Sequence, residues 1–163
     1  MESLFPGLSA MENLHPVFVH FPLVLLPLSF LFLLLGRLKK REDFQRAAVW
    51  LLYLGTLGAV AAAGTGMLAE EQVSVPEAAE AVIEFHEFLG KVAAGLAIVL
   101  SLVALLGRRL LASAVPTVLL LGLLVLSGIL AVGADRGAQL VYQYGVSVGK
   151  AAPPAAGDEH QRD

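Results

Sequence analysis

Three of the chain's four histidines fall where apolar segments meet one membrane face. His15 opens the first such segment, His20 lies a turn deeper among Val19, Phe21 and Pro22, and His86 stands at the start of the third. A polar ring at such a depth is costly unless it is paired, faces protein or faces water, so a functional site is the first reading. His15 and His20 are about 140° apart on an ideal helix and cannot easily serve one ion from one helix face. A pair drawn from two helices is the better geometry. His20 with His86, or His15 with His86, could give two neutral imidazoles to a haem iron, and all three with a nearby Glu could make a zinc or copper site. The competing reading is a histidine hydrogen-bonded to a carbonyl of a neighbouring helix, as packing glue. His160, in a polar tail, reads as solvated.

Glu70, Glu71, Lys91, Asp135 and Arg136 fall at the same face, with Tyr142, Gln143 and Tyr144 after the last segment. These fit ordinary interfacial roles: Lys91 can snorkel, Asp135 and Arg136 can end a span, and tyrosines form interfacial belts. Glu70, Asp135, Arg136 and Tyr142 are kept as supporting groups for a histidine site. With no Cys there is no thiolate metal site, iron-sulfur cluster or disulfide scaffold. No His-Glu-x-x-His helix, phosphate loop or nucleophile elbow occurs. A net charge of -3 gives no sign of nucleic-acid binding.

The elements that carry these groups are set by hydrophobicity. The chain has 163 residues, 57% hydrophobic and 15% charged, with a mean hydropathy of +0.76. That composition excludes an ordinary water-soluble domain. Four stretches, about 16–36, 47–69, 88–107 and 114–133, match the roughly 20 apolar residues needed to cross a bilayer. The expected fold is all-α: an integral membrane four-helix bundle over residues 1–148, arranged as two tandem helical hairpins, with a disordered tail over 149–163. Arg37, Lys39, Lys40, Arg41 and Arg46 follow the first span, and Arg108 and Arg109 follow the third. By the positive-inside rule both termini lie outside, which in a bacterium places the chain in the inner membrane, multi-pass. Glu2 and Glu12 in place of a basic start argue for a retained first helix over a cleaved signal.

Both halves share a spacing. His15 precedes Gly36-Arg37, and His86 precedes Gly107-Arg108, by 21 residues each. The second and fourth spans contain Gly66-Met67-Leu68-Ala69 and Gly128-Ile129-Leu130-Ala131, which this reading aligns, giving two hairpins about an axis along the membrane normal. Gly55, Gly58, Ala62, Gly66 and Ala69 form one small-residue stripe, and Gly90, Ala94, Ala97, Ser101 and Ala104 another, as packing faces require. His86 shares a face with Gly90, Ala97 and Ser101 and should point inward. Pro22 and Pro27 lie inside the first span and predict a bend. Ser74 and Glu77 have capping-box spacing, so the third helix should begin before the membrane, with Glu77, Glu80, Glu84 and Glu87 as a polar stripe along it.

The segment His15-Pro16-Val17-Phe18-Val19-His20-Phe21-Pro22-Leu23, the third-span histidine and the late Leu140-Val141-Tyr142-Gln143-Tyr144-Gly145 resemble the predicted membrane proteins of domain of unknown function 2231, from about His15 to Val148. The resemblance implies a four-helix bacterial membrane domain of no established activity, loosely associated with redox domains. This chain has no His near Gln143 or Tyr144, so the resemblance does not extend to a two-haem, four-imidazole arrangement. The expected function is a histidine-based site at the outer face, formed by His15, His20 and His86, holding a b-type haem or a transition metal ion for electron transfer with a redox partner protein. The alternatives are a non-catalytic anchor or assembly module, and a small transporter component, for which a homodimer would enclose the path.

Overall fold

The computed structural model describes residues 13–70, 72–110 and 114–147, together with Leu4, Leu8 and Met11. The tail expected at 149–163, with His160, and Glu71 lie outside the described residues. Four helices account for most of the rest. Helix α1 runs from His15 to Leu38 in two segments, His15–Phe18 and His20–Leu38. Helix α2 is Glu42–Glu70, α3 is Glu80–Leu110 behind a 3-10 turn at Glu77–Ala79, and α4 is Val115–Tyr142. All four are long and apolar enough to cross a membrane.

The helix ends follow from local chemistry. The break in α1 falls at Val19, because Pro22 has no N–H to give to the Phe18 carbonyl. Leu23 N–H resumes the ladder on Val19 O at 3.2 Å. Pro22 therefore sits in the first turn of the second segment, where proline is tolerated, and only Pro27 lies deep inside the helix. At the other end Lys40 takes a left-handed φ of 52°. Lys40 N–H reaches Arg37 O, and Arg41 N–H reaches Gly36 O at 2.8 Å, a Schellman turn that satisfies the last carbonyls. The capping box expected at Ser74 does not form. Pro76 occupies the N-cap with extended backbone and no side-chain cap bond, and the helix starts instead through the 3-10 turn. Helix α4 continues past Gly133, so Asp135 and Arg136 lie within it and do not terminate it.

The helices form a square in chain order. α1 packs on α2 and α4, and α3 packs on α4 and α2. This is the arrangement of two like-oriented hairpins about a pseudo-two-fold axis, and the burial pattern repeats at an interval of 71 residues. Leu26 and Ala97, Leu33 and Ala104, Ala48 and Leu119, and Leu52 and Leu123 are all buried. The true register corrects the alignment drawn from sequence: the counterpart of Gly66 is Gly137, not Gly128, and that of Ala62 is Gly133. Large and small residues exchange places between the halves. Leu26 lies where a Cβ on Gly55 would collide at 2.7 Å, whereas the equivalent positions are Ala97 and Leu126. Likewise Gly122 makes room for Leu100, and their counterparts are Leu51 and Ser29. In both cases the halves differ in which helix of the hairpin carries the leucine.

Few polar groups enter this core, and each is bonded. The fully buried Ser29 Oγ donates to Ala48 O at 2.7 Å, tying α1 to α2. Thr56 Oγ1 contacts Leu52 O at 2.8 Å, Ala97 O at 3.2 Å and Ser101 Oγ at 2.8 Å, joining α2 to α3. Above the histidine end, Ala79, Leu140 and Val146 form a second small core with Val73, Val75 and Tyr144. Asn13 Nδ2 donates to Ser147 Oγ at 3.3 Å there, bringing the first and last described segments together.

Candidate functional site

The site is built by the two residues that the repeat relates. His15 is the first residue of α1, and its own N–H is held by Asn13 Oδ1 at 3.1 Å. Its ring crosses to α2, where Nδ1 lies 2.9 Å from Ala62 O. His86 on α3 makes the same bond to α4, with Nδ1 2.9 Å from Gly133 O. Histidine and carbonyl are 47 residues apart in both hairpins. The two rings, both partly buried, meet at the axis with centroids 6.1 Å apart and planes at 87°.

Glycine makes this approach possible. A Cβ on Gly66 would lie 3.1 Å from His15 Cε1, and one on Gly137 would lie 3.1 Å from His86 Cε1. Each imidazole is thus seated on bare helix backbone one turn beyond the carbonyl it bonds. The stripe Gly55, Gly58 and Gly66 does face α1, as its spacing implied. In the α3 stripe Ala94, Ala97 and Ala104 are buried, whereas Gly90 is exposed and a Cβ there would meet nothing.

A carbonyl oxygen can only accept, so Nδ1 carries the hydrogen in both rings, and in the neutral form of an imidazole held this way Nε2 keeps its lone pair. In that form two Lewis-basic nitrogens are carried by two different helices. A hydrogen bond from the far ring nitrogen to a carbonyl is also the usual support of a metal-bound histidine.

The remaining candidates separate from this pair. His20 lies on the exposed face of α1, so of the two pairings left open by the sequence the rings of His15 and His86 are the ones that meet. Its counterpart, Lys91, is exposed too and bonds Glu87 Oε2 at 2.9 Å. Glu70 lies beside the side chain of Glu87 across the α2–α3 seam, and Glu87 is next in sequence to His86. Glu87 and Lys91 thus form an ion pair on α3 starting one residue beyond His86. The sequence shows Glu87 as part of a polar stripe and next to His86, and the ion pair joins it to Lys91. Among the described residues, no three His, Asp or Glu side chains gather as a metal-binding group. Asp135 and Arg136 lie on α4, with Arg136 Nη1 bonded to Gln139 Oε1 at 2.7 Å and its buried Nε 3.8 Å from Asp135 Oδ2, beyond hydrogen-bonding range. Tyr142 is 90% exposed at the end of α4 and takes no part in the pair.

The family described as predicted membrane protein (DUF2231) matches residues 11–150. The chain belongs to the DUF2231 family. That span takes in all four helices and both histidines of the pair, and it makes this DUF2231 protein a multi-pass integral membrane protein. No curated protein and no solved structure matches it.

Proposed function

We propose that this DUF2231 protein holds a single transition metal ion, copper or zinc, between His15 and His86 at the outer face of the membrane. The observation that carries the reading is the pair of Nδ1–carbonyl bonds, which leave both Nε2 atoms as acceptors where the hairpins meet. Imidazole nitrogen suits copper and zinc. Two protein ligands leave coordination positions for water or for a group on a partner, so the ion would be exchangeable. The seven basic residues at the opposite end support placing the histidines and both termini outside.

A haem on the same pair is disfavoured by its surroundings. A macrocycle needs a slot extending beyond the two rings, and helix backbone at Gly66 and Gly137 lies against them instead. His20, outside the pair, contributes no ligand in this reading.

Metal analysis and titration of the protein in mild detergent test the proposal. One copper or zinc per chain is expected, lost in His15→Gln and His86→Gln but kept in His20→Gln. If no variant changes metal content, or the native chain binds none, the two histidines serve to pin helices and the protein is a packing or assembly module.

A further inference from the structure

At the basic end the two seams of the duplicated frame differ in chemistry. Seven of the eleven Lys and Arg residues lie at the end opposite the histidines, at 37–46 and 108–109, with Glu42 and Asp43 as the only acids there. At that end a cavity of about 260 Å³ opens between α2 and α3. Its lining is Arg46, Val49, Trp50 and Tyr53 from α2, and Ala104 and Leu105 from α3. The corresponding positions of the α4–α1 seam are Thr117, Leu120, Leu121, Leu124, Leu33 and Leu34. There the Ala104 position is filled by Leu, the aromatic pair is absent, and Thr117 accepts from Arg37 Nη1 at 3.1 Å.

The groove thus combines a small-residue floor, an aromatic wall and a cation. Ala104 is buried, whereas Trp50 is 68% exposed and stands edge-on to Tyr53 at 6.2 Å. Arg46 is exposed, and one amino group bonds Glu42 at 2.9 Å, leaving its other N–H donors open. Tryptophan and tyrosine favour the headgroup level, and basic pockets between helices on this side select anionic headgroups.

We infer that this groove binds one anionic phospholipid of the leaflet at the basic end. One acyl chain lies over Ala104 and Val49, and the phosphate meets Arg46. The net positive charge of this end supplies the complementarity that a zwitterionic lipid would not use. The inference is independent of the metal reading, since the two sites lie at opposite ends.

Trp50 is the only tryptophan in the chain, so its fluorescence reports occupancy directly. The full chain is reconstituted in phosphatidylcholine vesicles with a minority of lipid brominated near the headgroup end of the acyl chain, either phosphatidylglycerol or phosphatidylcholine. Brominated phosphatidylglycerol should quench Trp50 about fivefold more strongly at equal mole fraction, the preference expected of one added cation. Arg46→Gln should remove that excess, whereas Lys39→Gln with Lys40→Gln should retain most of it. Equal quenching by the two lipids overturns the inference. So does an excess that follows Lys39 and Lys40 and ignores Arg46.

Discussion

Replacing Gly66 or Gly137 with alanine tests the seating of the imidazoles, because the same substitution at Gly64 or Gly90 meets open space. At Gly66 the new Cβ would stand 3.1 Å from Cε1 and 3.2 Å from Nδ1 of His15. Carbon contacts are best at about 3.5–4.0 Å, so the ring must retreat by roughly 0.4 Å or more. The Nδ1–Ala62 O bond begins at 2.9 Å, and that retreat takes it to the edge of hydrogen-bonding range, about 3.2 Å or beyond. Interhelical hydrogen bonds in membranes contribute about 0.6 kcal/mol on average and at most about 1.7. Against this, alanine gains up to about 1 kcal/mol of helix propensity over glycine. Gly64 and Gly90 supply the reference, since a Cβ there meets nothing. Gly64→Ala and Gly90→Ala should be neutral or stabilising, and Gly66→Ala and Gly137→Ala should fall below them by about 1–2 kcal/mol. Denaturation in mixed micelles reads the difference. If all four variants behave alike, the rings are not held against the helix backbones and the seating argument fails.

Other consequences follow from the same packing. Ser29→Ala removes the α1–α2 bond from the fully buried hydroxyl to Ala48 O, and should cost about 0.6–1.7 kcal/mol in the same micelle assay. Thr56→Val, nearly equal in volume, removes the donor shared among Ser101, Ala97 and Leu52. It should loosen the α2–α3 seam, read as faster amide exchange in α3 than in α1. Because each hairpin packs within itself and the two then join along equivalent seams, chains split in the 72–76 connection should reassemble when co-expressed. Co-purification of the tagged first half with the second checks this, and recovery of the tagged half alone contradicts it.

The four spans were legible because length and hydrophobicity decide them before any packing does. The contact role of Gly55, Gly58 and Gly66 was legible for a similar reason: small residues at helical spacing have little other use in a bilayer. The repeat was found, but its second half was aligned on Gly-x-Leu-Ala wording that leucine-rich helices produce by chance. A better guide was present, since Gly66 follows His15 by the same interval at which Gly137 follows His86.

Of the two pairings the sequence leaves open, His15–His86 and His20–His86, azimuth decides which one the bundle brings together. Depth along a helix says nothing about direction, and the angle of about 140° between the two already implied that only one could face the axis. The pairing with α2 and α4 carbonyls lay beyond sequence reading, because it depends on how far each hairpin lets its helices approach. Glu87 was overlooked as a member of a solvated stripe, yet its link to Glu70 exists only once α2 and α3 are side by side.

X-ray absorption of the copper-loaded protein tests the central claim most directly. The account predicts two imidazole nitrogens on a single ion, with one imidazole lost from the spectrum in either His15→Gln or His86→Gln and none lost in His20→Gln. A first shell of oxygen alone, or a spectrum unchanged by substitution at both 15 and 86, would contradict it.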